Sequence, residues 1–168
     1  IVGWDTETNG LSWQHNHIVG ESFSFDGKHG YYLPVAHNVS GEYSNVSWDA
    51  VKEQLHPMLA KKTLVGANLA FDVLMAADHG LGFPTNLLDV QGFAYMLGMH
   101  VPQPNKLGLK ALSADVLGDV MEEFSAVTKG DTFDNIDIAR GAPYAADDAV
   151  KSFRLGQVLG KRLTEEQH

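Results

Sequence analysis

Two acids at the end of an apolar strand constrain this chain more than any other feature. It opens IVGWDTETNGLSW: Ile1, Val2 and Trp4 run straight into Asp5 and Glu7, and Thr8-Asn9-Gly10 follows as a turn. Residues two apart on a strand point to the same side, so the two carboxylates are delivered together. A solvated strand end accounts for one acid; a pair after an apolar run asks for a common partner.

The rest of the chain reads as one α/β domain. Strands are expected over 1–5, 17–25, 30–35, 63–65 and 86–88, with Asp26-Gly27 as a hairpin signal and Pro34 favouring an edge. Helices are expected over 48–59 behind Ser47, over 68–80 behind Asn68, and over 89–97, 107–117 and 143–163, the last opening on Pro143. Pro102 and Pro104 break the chain, and 128–141, rich in Gly and Asp, reads as a mobile loop. Three strands in a meander, then alternating helices and strands, predict a mixed sheet with the first strand at its centre and helices on both faces.

Composition narrows the function classes. With 168 residues and 44% apolar content the chain can bury a core. The absence of cysteine excludes disulfides, thiolate chemistry and Cys-type zinc sites. No stretch is apolar enough to span a membrane and nothing reads as a signal peptide, so no membrane partner and a cytoplasmic location are expected. The first residue already belongs to a strand and is not Met, which leads us to expect a single domain, 1–168, cut from a longer protein. A monomer is the default. The net charge of −9 argues against broad electrostatic binding of nucleic acid, but not against a narrow acidic pocket that engages it through metal ions.

Two further acids stand out. Asp72 lies in the first turn of a helix, within Asn68-Leu69-Ala70-Phe71-Asp72. Asp148 follows Tyr144 by four residues, which puts both on one helical face. Four converging carboxylates repel one another and raise their own pKa values. Divalent cations resolve that conflict: hard oxygen ligands suit Mg²⁺ or Mn²⁺, and paired ions about 3.5–4 Å apart serve in-line attack on phosphodiesters. Without metal, Asp5→Ala is expected to raise the melting midpoint in a chelator.

In order, Asp5-Thr6-Glu7, Asn68 through Asp72 and Tyr144 through Asp148 resemble the three motifs of the 3′–5′ exonuclease domain of family A DNA polymerases, the tyrosine subclass of the four-acid exonucleases. Tyr32-Leu33-Pro34-Val35-Ala36-His37 and Thr132-Phe133-Asp134-Asn135-Ile136 are also similar, so the likeness covers essentially the whole chain. The resemblance implies a ribonuclease H-like fold with a five-stranded sheet. It implies that Asp5, Glu7 and Asp148 hold the tighter of two Mg²⁺ or Mn²⁺ ions, with Asp5 bridging to a second ion that Asp72 serves, and that Tyr144 orients the attacking water. Thr6, Leu11, Asn68 and Lys106 match substrate-binding positions, Leu11 as a wedge against the terminal bases. Ala67 and Ala70 depart from the polar residues common in bacterial polymerases, which implies fewer contacts to the strand.

The implied activity is hydrolysis of single-stranded DNA from its 3′ end to nucleoside 5′-monophosphates, probing the work of a polymerase domain of the same parent chain. Trimming of RNA ends is the enzymatic alternative, and an inactive DNA-clamping module the non-enzymatic one. Other residues have plainer readings: Asp147 as a solvated neighbour, Asp89 as a helix cap, His15 and His17 as turn residues, Lys129 and Arg140 as solubility or phosphate steering.

Overall fold

The computed structural model describes residues 1–39, 41–80, 82, 84–100 and 106–166; the breaks expected at Pro102 and Pro104 lie outside them. Strands β1 (Val2–Thr8), β2 (Ile18–Ser24) and β3 (Tyr31–Pro34) form the antiparallel meander, and β4 (Leu64–Gly66) and β5 (Leu87–Asp89) add in parallel. The order is β3-β2-β1-β4-β5, with β1 central and β3, carrying Pro34, at an edge. This is an α/β ribonuclease H-like fold: a mixed five-stranded sheet flanked by helices on both faces. β1 runs to Thr8, so Glu7 keeps strand geometry and shares a side with Asp5.

One face of the sheet packs on α1 (α-helical at Trp48–Ala50 and His56–Leu59, with a wider π turn at Val51–Leu55) and on α2 (Leu69–Asp78). There Val2 and Trp4 meet Leu59, Leu69, Val73 and Met75. The other face packs on α3 (Val90–Met96), α4 (Leu109–Leu112, continued by a π turn at Ser113–Leu117), α5 (Phe124–Thr128) and the long α6 (Ile138–Glu166). Val65, Val90, Leu112, Leu155 and Leu159 form its core. No helix among the described residues is long and apolar enough to cross a membrane.

Gly3 sets the distance between β1 and α6. A Cβ there would lie 2.2 Å from the Ala149 carbonyl oxygen and 2.9 Å from the Phe153 Cβ, so only glycine lets the helix backbone ride directly on the strand. Asp5 and Glu7 follow on the same side of β1, against the turn of α6 that carries Tyr144 and Asp148.

Three expectations are corrected. The last helix starts at Ile138, not at Pro143, because the Asp137 carboxylate caps it, accepting from Ala139 N at 2.7 Å; Pro143 falls inside the helix. The stretch 128–141 is not a mobile loop: it holds the end of α5, a 3₁₀ turn at Phe133–Asn135 and the first turn of α6, and Phe133 is fully buried among Val19, Val127, Ile136 and Tyr144. Asn68 does not cap α2 with its side chain. It sits in the left-handed region at φ 61°, and the Asp89 carboxylate accepts from Asn68 N and Leu69 N instead. Asp89 also accepts from Gln91 N, so one carboxylate caps two helices.

Candidate metal and nucleic-acid site

At the end of β1, one ligand oxygen each from Asp5, Glu7 and Asp148 lie within 4.8 Å of one another. The strand supplies the first two and α6 the third. The Asp148 Oδ1 is buried and meets no hydrogen-bond donor among the described residues. Such an orphaned oxygen, beside two more carboxylates, is the donor set that a hard divalent cation fits.

Electrostatics point the same way. Burial, then the charges of Asp72, Asp148 and Glu7, hold the Asp5 carboxyl well above the usual carboxylate range. Glu7 is raised by burial, Asp148 and Asp72, against the pull of Lys110. Burial pushes Asp148 up to about 7 despite Lys110. Asp72 also reaches about 7 through burial, although its Oδ1 accepts from Thr6 N at 3.0 Å and Thr6 Oγ1 at 2.6 Å. Asp72 is therefore beside the three-acid group rather than in it, held by the residue between Asp5 and Glu7. Thr6 lines the adjoining cleft, yet its hydroxyl serves Asp72.

Tyr144 is nearly buried, its ring centroid 6.2 Å from that of Phe124 and 6.1 Å from that of Phe133. Burial and the charges of Asp148, Glu7 and Asp5 raise its hydroxyl pKa, so it remains a neutral phenol. Lys110 Nζ stands 5.1 Å over the ring and donates to the Glu122 carbonyl at 2.6 Å. Sequence reasoning missed Lys110, because only the packing of α4 against α6 brings it here. It missed Phe124 too, whose five-residue helix leaves no periodic signal.

A cleft of about 410 Å³ opens beside Glu7, framed by Leu11, Phe71, Phe124 and Thr132. Leu11 is 89% exposed, held out on a turn that Asn9 and Asn16 close through bonds to His17 N and Ser12 N. Asn68 and Lys106 are exposed and outside this wall. Arg140 pairs with Glu122, and Trp4 is wholly buried.

The 3′–5′ exonuclease family model, that of the DNA polymerase A exonuclease, matches residues 1–164. The chain belongs to that family. It is 31% identical to DNA polymerase I of Pseudomonas aeruginosa over 97% of its own length, and it spans 18% of that relative. Among solved structures it is similar to NrnC of Brucella melitensis bound to pGG, with a TM-score of 0.72 and 20% identity over 99% of this chain and 74% of that one. The same nuclease with bound Mg²⁺ gives a TM-score of 0.68 at 19% identity with the same coverage. The chain is thus a member of the metal-dependent exonucleases of the ribonuclease H-like superfamily.

Proposed function

We propose that this chain hydrolyses nucleic-acid strands one nucleotide at a time from the 3′ end, with two Mg²⁺ or Mn²⁺ ions. The convergence of Asp5, Glu7 and Asp148, with the orphaned Asp148 Oδ1, carries the reading. Those three would hold the first ion, and Asp72, braced by Thr6, would serve the second. Bound there, the ions supply a nucleophile at neutral pH and compensate the charge gathering on the phosphate.

The chain's own groups do the positioning. The neutral Tyr144 hydroxyl, among the carboxylates, orients the attacking water. Phe71 and Phe124 offer aromatic rings to the terminal bases, which stack on such groups irrespective of sequence, and Leu11 adds apolar surface beside them. A narrow cleft beside Glu7 admits a single strand. Asn68 and Lys106 would contact the strand outside the cleft.

Two substrates divide the support. Likeness to a DNA polymerase I supports single-stranded DNA as the substrate, and with it a role as the proofreading unit of a longer polymerase. Likeness to NrnC over nearly the whole chain favours the other reading, trimming of short RNA ends, and supports it better than the solved structures support DNA; one of those NrnC structures has pGG bound.

The deciding experiment compares 5′-labelled DNA and RNA strands of two to twenty nucleotides with Mg²⁺ or Mn²⁺, beside the Asp5→Ala/Glu7→Ala variant. A ladder shortening from the 3′ end and absent in the variant establishes the reaction, and relative rates choose the substrate. Retained binding without cleavage of either strand moves the chain to the inactive clamping module.

A further inference from the structure

Glu7 stands opposite Gly20 in the β1–β2 ladder, and Asp5 opposite Ser22, which in turn faces Tyr32 on β3. Directly opposed residues carry their Cβ atoms about 5 Å apart on one face. A Cβ on Gly20 would fall 2.1 Å from the Tyr32 hydroxyl oxygen. The Tyr32 side chain therefore crosses from the Asp5 row to the Glu7 row and fills the place beside Glu7 that a side chain at position 20 would take.

A phenol beside a carboxylate ordinarily donates to it. Here the proton has another destination. Tyr32 Oη lies 2.7 Å from His37 Nε2, and His37 Nδ1 lies 2.9 Å from the Ile136 carbonyl oxygen. A carbonyl only accepts, so Nδ1 carries the ring proton. Burial holds His37 below its ordinary pKa, so the ring is neutral and Nε2 is bare. Nε2 must then accept the Tyr32 O–H. The backbone on either side of this contact is held as well: Asn45 bonds both His37 N and His37 O, at 2.9 and 2.8 Å, and Asn38 N donates to Asp134 O in the 3₁₀ turn at 2.7 Å.

We infer that Tyr32 and His37 act as a positioning pair that reserves Glu7 for the metal: the ring fills the space beside Glu7 while His37 takes the hydroxyl proton that would otherwise compete for the ligand oxygens. This rests on the metal-dependent reading above. Neither residue touches substrate or ion; both act through Glu7.

The test is Mn²⁺ affinity by calorimetry at pH 7.5, with thermal melts alongside. His37→Leu removes the acceptor, turns the Tyr32 hydroxyl on Glu7, and weakens Mn²⁺ binding about tenfold, the size of a hydrogen bond to a charged group. Tyr32→Phe/His37→Leu restores parental affinity although its melting midpoint stays low, a separation that a purely structural role does not produce. Tyr32→Phe alone binds Mn²⁺ within about twofold of the parent; a tenfold loss there overturns the inference, whether or not His37→Leu folds. Equal weakening in His37→Leu and the double variant, or none in either, also overturns it. A parent chain that binds no Mn²⁺ sinks the metal reading and this inference together, whereas a parent that binds, with the wrong variant pattern, sinks the inference alone.

Discussion

Asp148 Oδ1, buried beside Asp5 and Glu7 without a donor among the described residues, makes opposite demands on the metal-free and metal-loaded protein. Without an ion the carboxylate costs free energy through burial and repulsion; with one it becomes a ligand. Asp148→Asn should therefore raise the metal-free melting midpoint by about 2–8 °C, the equivalent of about 1–2 kcal/mol for a domain this size. Asp5→Ala should act in the same direction. In Mg²⁺ the order reverses, because the parent gains binding free energy that the variant lacks. Melts in EDTA and in Mg²⁺ check both signs, and a variant less stable in EDTA counts against the repulsion argument. Lys110 gives a second prediction at this scale. Its charge lowers the pKa of both Glu7 and Asp148. Lys110→Met should let both rise, moving the pH at which Mn²⁺ binding is half lost upward by about 0.5–1, since an opposite charge nearby commonly accounts for at least that much. Lys110→Arg should stay near the parent. An unmoved midpoint in the Met variant would mean that solvent already screens the lysine.

Gly3 shows how a single position sets the relation between two elements. Gly3→Ala forces a methyl to within 2.2 Å of the Ala149 oxygen, and a helix backbone yields less readily than a side chain. The expected cost is about 1–3 kcal/mol. Because α6 must lift, Asp148 should leave Asp5 and Glu7, so metal affinity should fall with stability. Melts and Mn²⁺ titration on one sample check this, and an unchanged midpoint removes the close-approach argument. Which elements were legible follows from the same kind of reasoning. The apolar runs of β1 and β2, the edge proline of β3 and the motif stretches around Asp72 and Asp148 are local patterns, and each reads directly from the chain. Ile138 was missed as a helix start because Pro143 offered a stronger local signal than the Asp137 cap. The order of 128–141 was missed because Phe133, one buried aromatic among polar residues, outweighs the composition around it. Asp89 was legible as a cap but not as the cap of α2, since that bond spans two elements. Lys110 over Tyr144 and Tyr32 beside Glu7 are contacts across helices or strands, invisible to periodicity.

For the molecule as a whole, the acid site predicts an unusual dependence of stability on pH. Asp72 and Asp148 titrate near 7 when folded, and Asp5 and Glu7 well above their ordinary range, whereas unfolded carboxyls titrate near 4. Between pH 6.5 and 8 the folded chain binds protons that the unfolded chain has already released. Stability is then fully present below the unfolded values and is lost as pH rises through the folded ones. Each retained proton contributes a slope of about 1.4 kcal/mol per pH unit, and the coupled acids titrate as a group rather than one by one. His37, held neutral by burial, works in the opposite direction below its ordinary 6.5, which is why the alkaline half of the window isolates the acids. A rival cause exists in the net charge of −9, whose self-repulsion grows as the chain loses further protons but falls with screening. Salt separates the two: raising it from 0.15 to 1 M shortens the screening length from about 8 to about 3 Å, which quiets surface charge and leaves buried pairs largely intact. Melts in EDTA should therefore lose several degrees from pH 6.5 to 8 at both salt concentrations, and saturating Mg²⁺ should flatten the loss by compensating the carboxylates. A slope that vanishes in 1 M salt would assign it to the surface; a slope of opposite sign would mean that the four acids are solvated and do not form the site described.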